Sequence, residues 1–160
     1  MIFLTLGTYP LPFDRLVQAV DEVVAKDLID EEVFAQIGFS NYLPKHMKYE
    51  KLLEKQRFDE ILSSATALIG HAGMGSISMA LNHEKPLLVM PRLAKFGEHV
   101  NDHQLHTARK FEELGHILVA YDQDELAEKI NRLKSFVPLP RTPNRQGVAD
   151  RIQKFIEQMI

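Results

Sequence analysis

Ala67-Leu68-Ile69-Gly70-His71-Ala72-Gly73-Met74-Gly75-Ser76-Ile77-Ser78 reads as a short apolar strand that runs into a tight glycine turn and opens a helix. Such a turn leaves several backbone N–H groups pointing at one spot, and the helix N-terminus adds a partial positive charge there. Together they suit a phosphate or diphosphate. Gly73 and Gly75 flank Met74 and let the backbone approach an anion with no Cβ in the way. Ser76 adds a hydroxyl, and His71 an imidazole N–H, on the strand side of the turn. Gly-x-Gly-x-x-Ser is common between strands and helices, so the strand-turn-helix context gives it its weight. No Gly-x-x-x-x-Gly-Lys is present, which excludes a P-loop NTPase. A dinucleotide fingerprint fits poorly. Its third glycine is missing, and the turn is not in the first strand-helix unit.

Outward from this turn, apolar strands alternate with amphipathic segments. Ile2 to Leu6 is predicted as a buried strand ended by Gly7, followed by a helix with Phe13, Leu16, Val17, Val20 and Val24 on one face. Val33 to Ile37 is a second strand, and Met47 to Leu53 fits either a strand or a helix. Arg57 to Ala65 is predicted helical, Ala67 to Gly70 a strand, and Ser76 to Asn82 a helix. Pro86 starts the strand Leu87-Leu88-Val89-Met90, which Pro91 ends. A polar loop covers residues 91–101, and Leu105, Ala108, Phe111 and Leu114 mark a helix that stops at Gly115. Ile117 to Ala120 is a strand and Gln123 to Phe136 a helix. After Pro138, Pro140 and Pro143, the residues Val148, Ile152, Phe155, Ile156 and Met159 stripe a last helix over 145–160. That stripe suits the core or a docked partner equally.

This order predicts an α/β fold: one Rossmann-like domain over residues 1–160, with a mainly parallel sheet of about six strands and helices on both faces. Ligands in such sheets sit at the carboxyl ends of the strands. Gly7-Thr8, residues 71–76 and the loop 91–104 converge on that edge.

The composition fits this reading. The chain has 160 residues, 45% hydrophobic and 26% charged, which is ordinary for a globular domain. A net charge of −3 argues against nucleic acid or an anionic membrane as the main partner. No cysteine is present, so disulfides and thiol catalysis are excluded. No apolar run approaches the ~18 residues that span a bilayer, and the apolar start lacks the basic region of a signal peptide. A cytoplasmic protein is expected. His99, His103 and His106, with Glu98 and Asp102 nearby, invite a metal site, but a polar helix start explains them better and no metal is assigned. Asn101 or Asp102 is expected to cap the helix that begins there.

Taken together, His71-Ala-Gly-Met-Gly-Ser76, Lys85-Pro-Leu-Leu-Val-Met-Pro91 and Gly97-Glu-His-Val-Asn-Asp-His-Gln104 resemble the donor-binding domain of family 28 glycosyltransferases. The stretches Leu6-Gly7-Thr8, Phe13-Asp14-Arg15-Leu16 and Gln36-Ile-Gly-Phe-Ser-Asn-Tyr42 carry the same likeness. It covers nearly the whole chain and is nearest to stand-alone halves of the Alg13 and PssE type. The resemblance implies one half of a GT-B fold, an inverting hexosyltransferase, and a UDP-hexose donor. It implies a membrane-anchored partner of the Alg14 or PssD type, which binds a lipid-linked acceptor in polysaccharide or glycolipid synthesis and supplies the general base. The chain would then be recruited to the membrane periphery by that partner.

By the same resemblance, Gly7, Thr8, His71, Gly73, Met74, Gly75 and Ser76 bind UDP, and Asn101, Asp102, His103 and Gln104 bind the sugar. No cofactor beyond the UDP-sugar donor is implied. One departure is Met79, where many relatives carry an acidic residue for the ribose. The rival readings are a non-catalytic subunit that activates such a transferase, and a stand-alone nucleotide-sugar epimerase or hydrolase.

Overall fold

The computed structural model describes residues 1–140 and 145–158, the side chains of 145–148 aside. Six strands form one sheet: β1 Ile2–Thr5, β2 Val33–Gln36, β3 Lys48–Glu50, β4 Ala67–His71, β5 Leu87–Met90 and β6 Leu118–Val119. Their order is β3-β2-β1-β4-β5-β6, and every pair is parallel. The helices are α1 Asp14–Ala25, α2 Lys55–Ser64, α3 Met74–Asn82, α4 His103–Glu113, α5 Leu126–Leu133 and α6 Arg145–Glu157.

The central strands are apolar throughout because both of their faces are covered. Ile2, Leu4 and Leu6 pack with Leu16, Val17 and Val20 of α1 and with Leu126 and Ile130 of α5. Phe3 points the other way, to Ile61 and Leu62 of α2, Ile77 and Ala80 of α3, and Ala108 of α4. The same alternation splits β5, with Leu88 and Met90 on the first face and Leu87 and Val89 on the second. Phe3 is fully buried, with its ring edge-on to Phe58 at 5.4 Å. Burial of one such side chain is worth roughly 1.5–3 kcal/mol, so the β1 run alone anchors the middle of the sheet.

Several expected boundaries move. The ambiguous segment 47–53 yields the short edge strand β3, held because Phe34, Ala35 and Gln36 pair with Lys48, Tyr49 and Glu50. The helix after the glycine turn starts at Met74, two residues earlier than its apolar period suggests. The segment from Gln123 begins as a 3-10 turn before α5. The polar loop 91–101 contains a 3-10 turn at Ala94–Phe96.

Two carboxylates of α1 tie down the loop after β2. Asp14 accepts from the Ser40 hydroxyl and from the N–H groups of Asn41, at 2.7 Å, and Tyr42. Asp21, fully buried, accepts from the N–H groups of Lys45 and His46 and from the Tyr42 hydroxyl at 2.8 Å. Burial pushes both carboxyls up, but these donors outweigh it and hold each below the ordinary carboxylate value. Among the described side chains of α6, Ile152, Phe155 and Ile156 are all exposed. The Val148 side chain and Met159, the other members of that stripe, lie outside what is described.

Candidate functional site

The order of the sheet sets where a ligand fits. From β1 the chain crosses to β2 on one side, and from β4 it crosses to β5 on the other. The loops leaving β1 and β4 therefore part, and a crevice opens between their carboxyl ends. A cavity of about 670 Å³ lies there. Thr5, Gly7 and Thr8 line it from β1, and His71, Gly75, Ser76 and Met79 from β4 and α3. Gln36 closes it at the end of β2, and Leu53, Lys55 and Phe58 at the start of α2.

His71 is the last residue of β4, and its ring lies between two glycine backbones. A Cβ on Gly73 would overlap the ring, coming within 2.6 Å of Nδ1. A Cβ on Gly7 would sit 3.4 Å from Nε2, and Gly7 also holds φ at +68°, where glycine alone is comfortable. Gly73 thus makes room for the imidazole, in addition to any room it leaves for an anion. A Cβ on Gly75 would meet nothing within 4 Å, so this glycine faces open space. Gly73 caps α3, so the N–H groups of Met74, Gly75 and Ser76 form its first turn and have no carbonyl one turn back to donate to. The Met74 side chain is exposed.

The imidazole is neutral at pH 7. Burial, reinforced by the Arg92 guanidinium, pushes it down to about 4. His71 therefore offers a neutral N–H or lone pair rather than a positive charge. Its Nε2 is 3.2 Å from the Ser76 hydroxyl, and its Nδ1 is 3.4 Å from the Gln104 amide nitrogen.

The residues expected to meet a sugar divide. Gln104 is buried, 3% exposed, and its amide is engaged by the Arg92 N–H and by His71. None of Asn101, Asp102, His103 and Gln104 lines the crevice cavity itself, and Gln104 reaches it through His71. Asn101, Asp102 and His103 are exposed at the start of α4. The Asn101 side-chain Oδ1 accepts from the His103 N–H at 3.2 Å, and the Asp102 carboxylate accepts from the Ala94 N–H at 2.7 Å. Asp102 occupies the N-cap of α4 without a side-chain cap bond and instead holds the 3-10 turn across the loop, while Asn101, one residue earlier, takes the first N–H of the helix. His99 stacks flat on Tyr9 at 4.9 Å and edge-on to His103 at 4.6 Å. No group of three metal-ligating side chains occurs among the described residues.

The sequence does not single out Arg92, and it brings in Glu98 only as a neighbour of the histidines weighed for a metal. Arg92 is 1% exposed and donates to the carbonyls of Leu11, Pro12 and Glu98. Burial lowers it to about 10, so it stays charged at pH 7. Glu98 is buried and accepts a two-pronged pair from Arg15, both contacts at 2.9 Å, and the Leu93 N–H. Arginine and glutamate are ordinarily surface residues, so nothing in the one-dimensional pattern flags them. Gln36 was also missed. It is 3% exposed with its amide oxygen unpartnered, at the end of an apolar strand where a polar residue is itself a signal.

Comparison with known proteins adds to this geometry. A UDP-N-acetylglucosamine transferase subunit ALG13 from Eremothecium gossypii is 39% identical over 94 residues, 57% of this chain and 44% of that protein. The protein of the same name from Mus musculus is 30% identical over 127 residues, 72% of this chain and 10% of its own. The chain therefore spans less than half the length of these curated relatives. Among solved structures, the NMR structure of ALG13 matches with a TM-score of 0.60 at 20% identity, covering 91% of both chains. The crystal structure of the glycotransferase of kitacinnamycin matches at 0.61 and 23% identity, covering 84% of this chain and 34% of that one. These structural likenesses show a shared Rossmann-like fold. The model of the glycosyltransferase family 28 C-terminal domain matches residues 1–159, glycine turn and crevice included, and the chain belongs to that family.

Proposed function

We propose that this chain is the donor-binding, catalytic subunit of an inverting transferase that moves a hexosyl group from a UDP-sugar to a lipid-linked acceptor. The observation that supports the reading is the crevice between β1 and β4, where the first turn of α3, Ser76 and His71 meet the Gly7 loop. Breaking a sugar–phosphate bond develops negative charge on the departing diphosphate. Preformed N–H groups at a helix N-terminus stabilise that charge as it grows without reorganising. In this reading the diphosphate lies against Gly7, Thr8 and residues 73–76, with the Ser76 hydroxyl and the His71 ring as further donors. The nucleoside lies toward Gln36, Leu53, Phe58 and Met79. The sugar lies toward Asn101, Asp102 and His103, with Gln104 acting from behind His71.

The acceptor and its general base belong to a second, membrane-anchored subunit of the Alg14 or PssD type, in polysaccharide or glycolipid synthesis. The relatives' name, a transferase subunit, supports both the donor class and the need for a partner. Among the described residues no helix is long and apolar enough to cross a membrane, in keeping with a chain drawn to the bilayer by its partner.

Calorimetry with UDP and UDP-N-acetylglucosamine tests the site. The folded chain is expected to bind both. His71→Ala and Gly73→Val should each weaken UDP about tenfold or more, the first by removing a donor to a charged group and the second by displacing the ring. No UDP binding by the folded wild-type chain would favour the non-catalytic activator. Turnover of UDP-sugar by the chain alone would favour an epimerase or hydrolase.

A further inference from the structure

We propose that Gln104 is a positioning residue that sets the tautomer of His71, holding the neutral ring with its proton on Nε2, toward Ser76 and the crevice. The Arg92 backbone N–H is an obligatory donor and lies 3.1 Å from the Gln104 amide oxygen. That contact fixes which way the amide points, since a flipped amide would set donor against donor. The amide nitrogen is then the group that faces His71 Nδ1, at 3.4 Å. A nitrogen that receives an N–H is an acceptor, so Nδ1 bears the lone pair and the proton of the neutral imidazole resides on Nε2. Nε2 is the ring atom beside the Ser76 hydroxyl, and the wedging of the ring between Gly7 and Gly73 keeps it from turning over.

The surroundings of the ring favour this state. The titratable groups facing His71 are Arg92, which is charged, from the segment after β5, and His99 from the loop before α4, and both disfavour a second proton on it. Gln104 comes from α4, so three elements deliver one oriented N–H to the crevice. The inference deepens the proposed donor site and rests on that reading for its catalytic meaning. It gives Gln104 a role that acts through His71, apart from the sugar contact expected of it.

The test is the tautomer itself, read by long-range proton–nitrogen correlation NMR on labelled chain without ligand. Wild type at pH 7 is expected to show a neutral His71 protonated on Nε2. Gln104→Glu keeps an acceptor for the Arg92 N–H but places a second acceptor against Nδ1. The ring should then move its proton to Nδ1, with UDP affinity falling about tenfold or more, or become charged, with its titration shifted upward. A merely structural Gln104 would leave the nitrogen pattern and the titration unmoved. If Gln104→Glu does not fold, Gln104→Met decides: a mixed tautomer supports the proposal and an unchanged one overturns it. A wild-type ring protonated on Nδ1 overturns it outright. Because the tautomer is read without nucleotide, a normal result alongside absent UDP binding would sink the donor-site reading and leave this inference standing.

Discussion

His71 is the residue on which the site turns, and burial has set its chemistry. An ordinary imidazole titrates near 6.5, and this one is pushed down to about 4. Above pH 6.5 the ring is neutral folded and unfolded, so the stability it permits is fully present. Between 6.5 and 4 only the unfolded chain takes up the proton, and that stability is lost as pH falls. The gap corresponds to roughly 3 kcal/mol by the time both states are protonated. In urea unfolding followed from pH 7.5 to 4, wild type should therefore lose more stability than His71→Gln. Parallel curves for the two proteins would mean that the ring titrates normally in the fold. The carboxylates Asp14 and Asp21 destabilise both proteins alike in acid, so the difference isolates the histidine.

At the scale of elements, the segment between β5 and α4 is held by charge rather than by apolar packing. Glu98 joins α1, through Arg15, to the 3-10 turn, through the Leu93 N–H. Arg92 ties the same segment to the carbonyls of Leu11 and Pro12 before α1 and lies over the Phe13 ring at 4.8 Å. The side chains of Arg15 and Glu98 are only 12% and 5% exposed, so solvent does little to screen them. Removing one member of such a pair leaves the other buried and uncompensated. Glu98→Ala should cost about 3 kcal/mol in chemical unfolding, well above an exposed pair. The exposed pair Lys55–Asp59, 2.5 Å apart on α2, is the control: Asp59→Ala should cost well under about 1 kcal/mol. Equal effects of the two substitutions would show that the buried network contributes nothing special.

Across the whole molecule, the sheet and its five nearer helices form one body, and α6 presents Ile152, Phe155 and Ile156 to solvent. Such a face gains by association, since an apolar surface left in water carries a cost that a partner removes. Ile156→Glu should leave the unfolding midpoint of the isolated domain unchanged, because the side chain is 52% exposed. The same substitution should reduce co-purification with the proposed partner subunit. Unfolding of the variant domain would assign the stripe to the core instead. Unaltered co-purification would move the docking surface elsewhere. Transfer to an acceptor by this chain alone would end the two-subunit reading.

The parallel sheet and its glycine turn are legible along the chain alone. Strands such as Ile2–Thr5 and Leu87–Met90 are apolar on both faces and are legible at any distance from their partners, because burial on two sides erases the polar alternation. The turn after Ala67–His71 was equally plain, since glycine spacing is a local property. Only the tertiary structure decided the state of the site. That Lys48–Glu50 is a strand depends on β2 lying beside it. That His71 is neutral depends on Arg92, which follows another strand, and on the depth of the crevice. That Gln104 turns inward depends on an N–H twelve residues away in sequence and 3.1 Å away in space. Protonation and hydrogen bonding are set by whatever lies within a few ångströms, and the neighbours that matter here are distant along the chain.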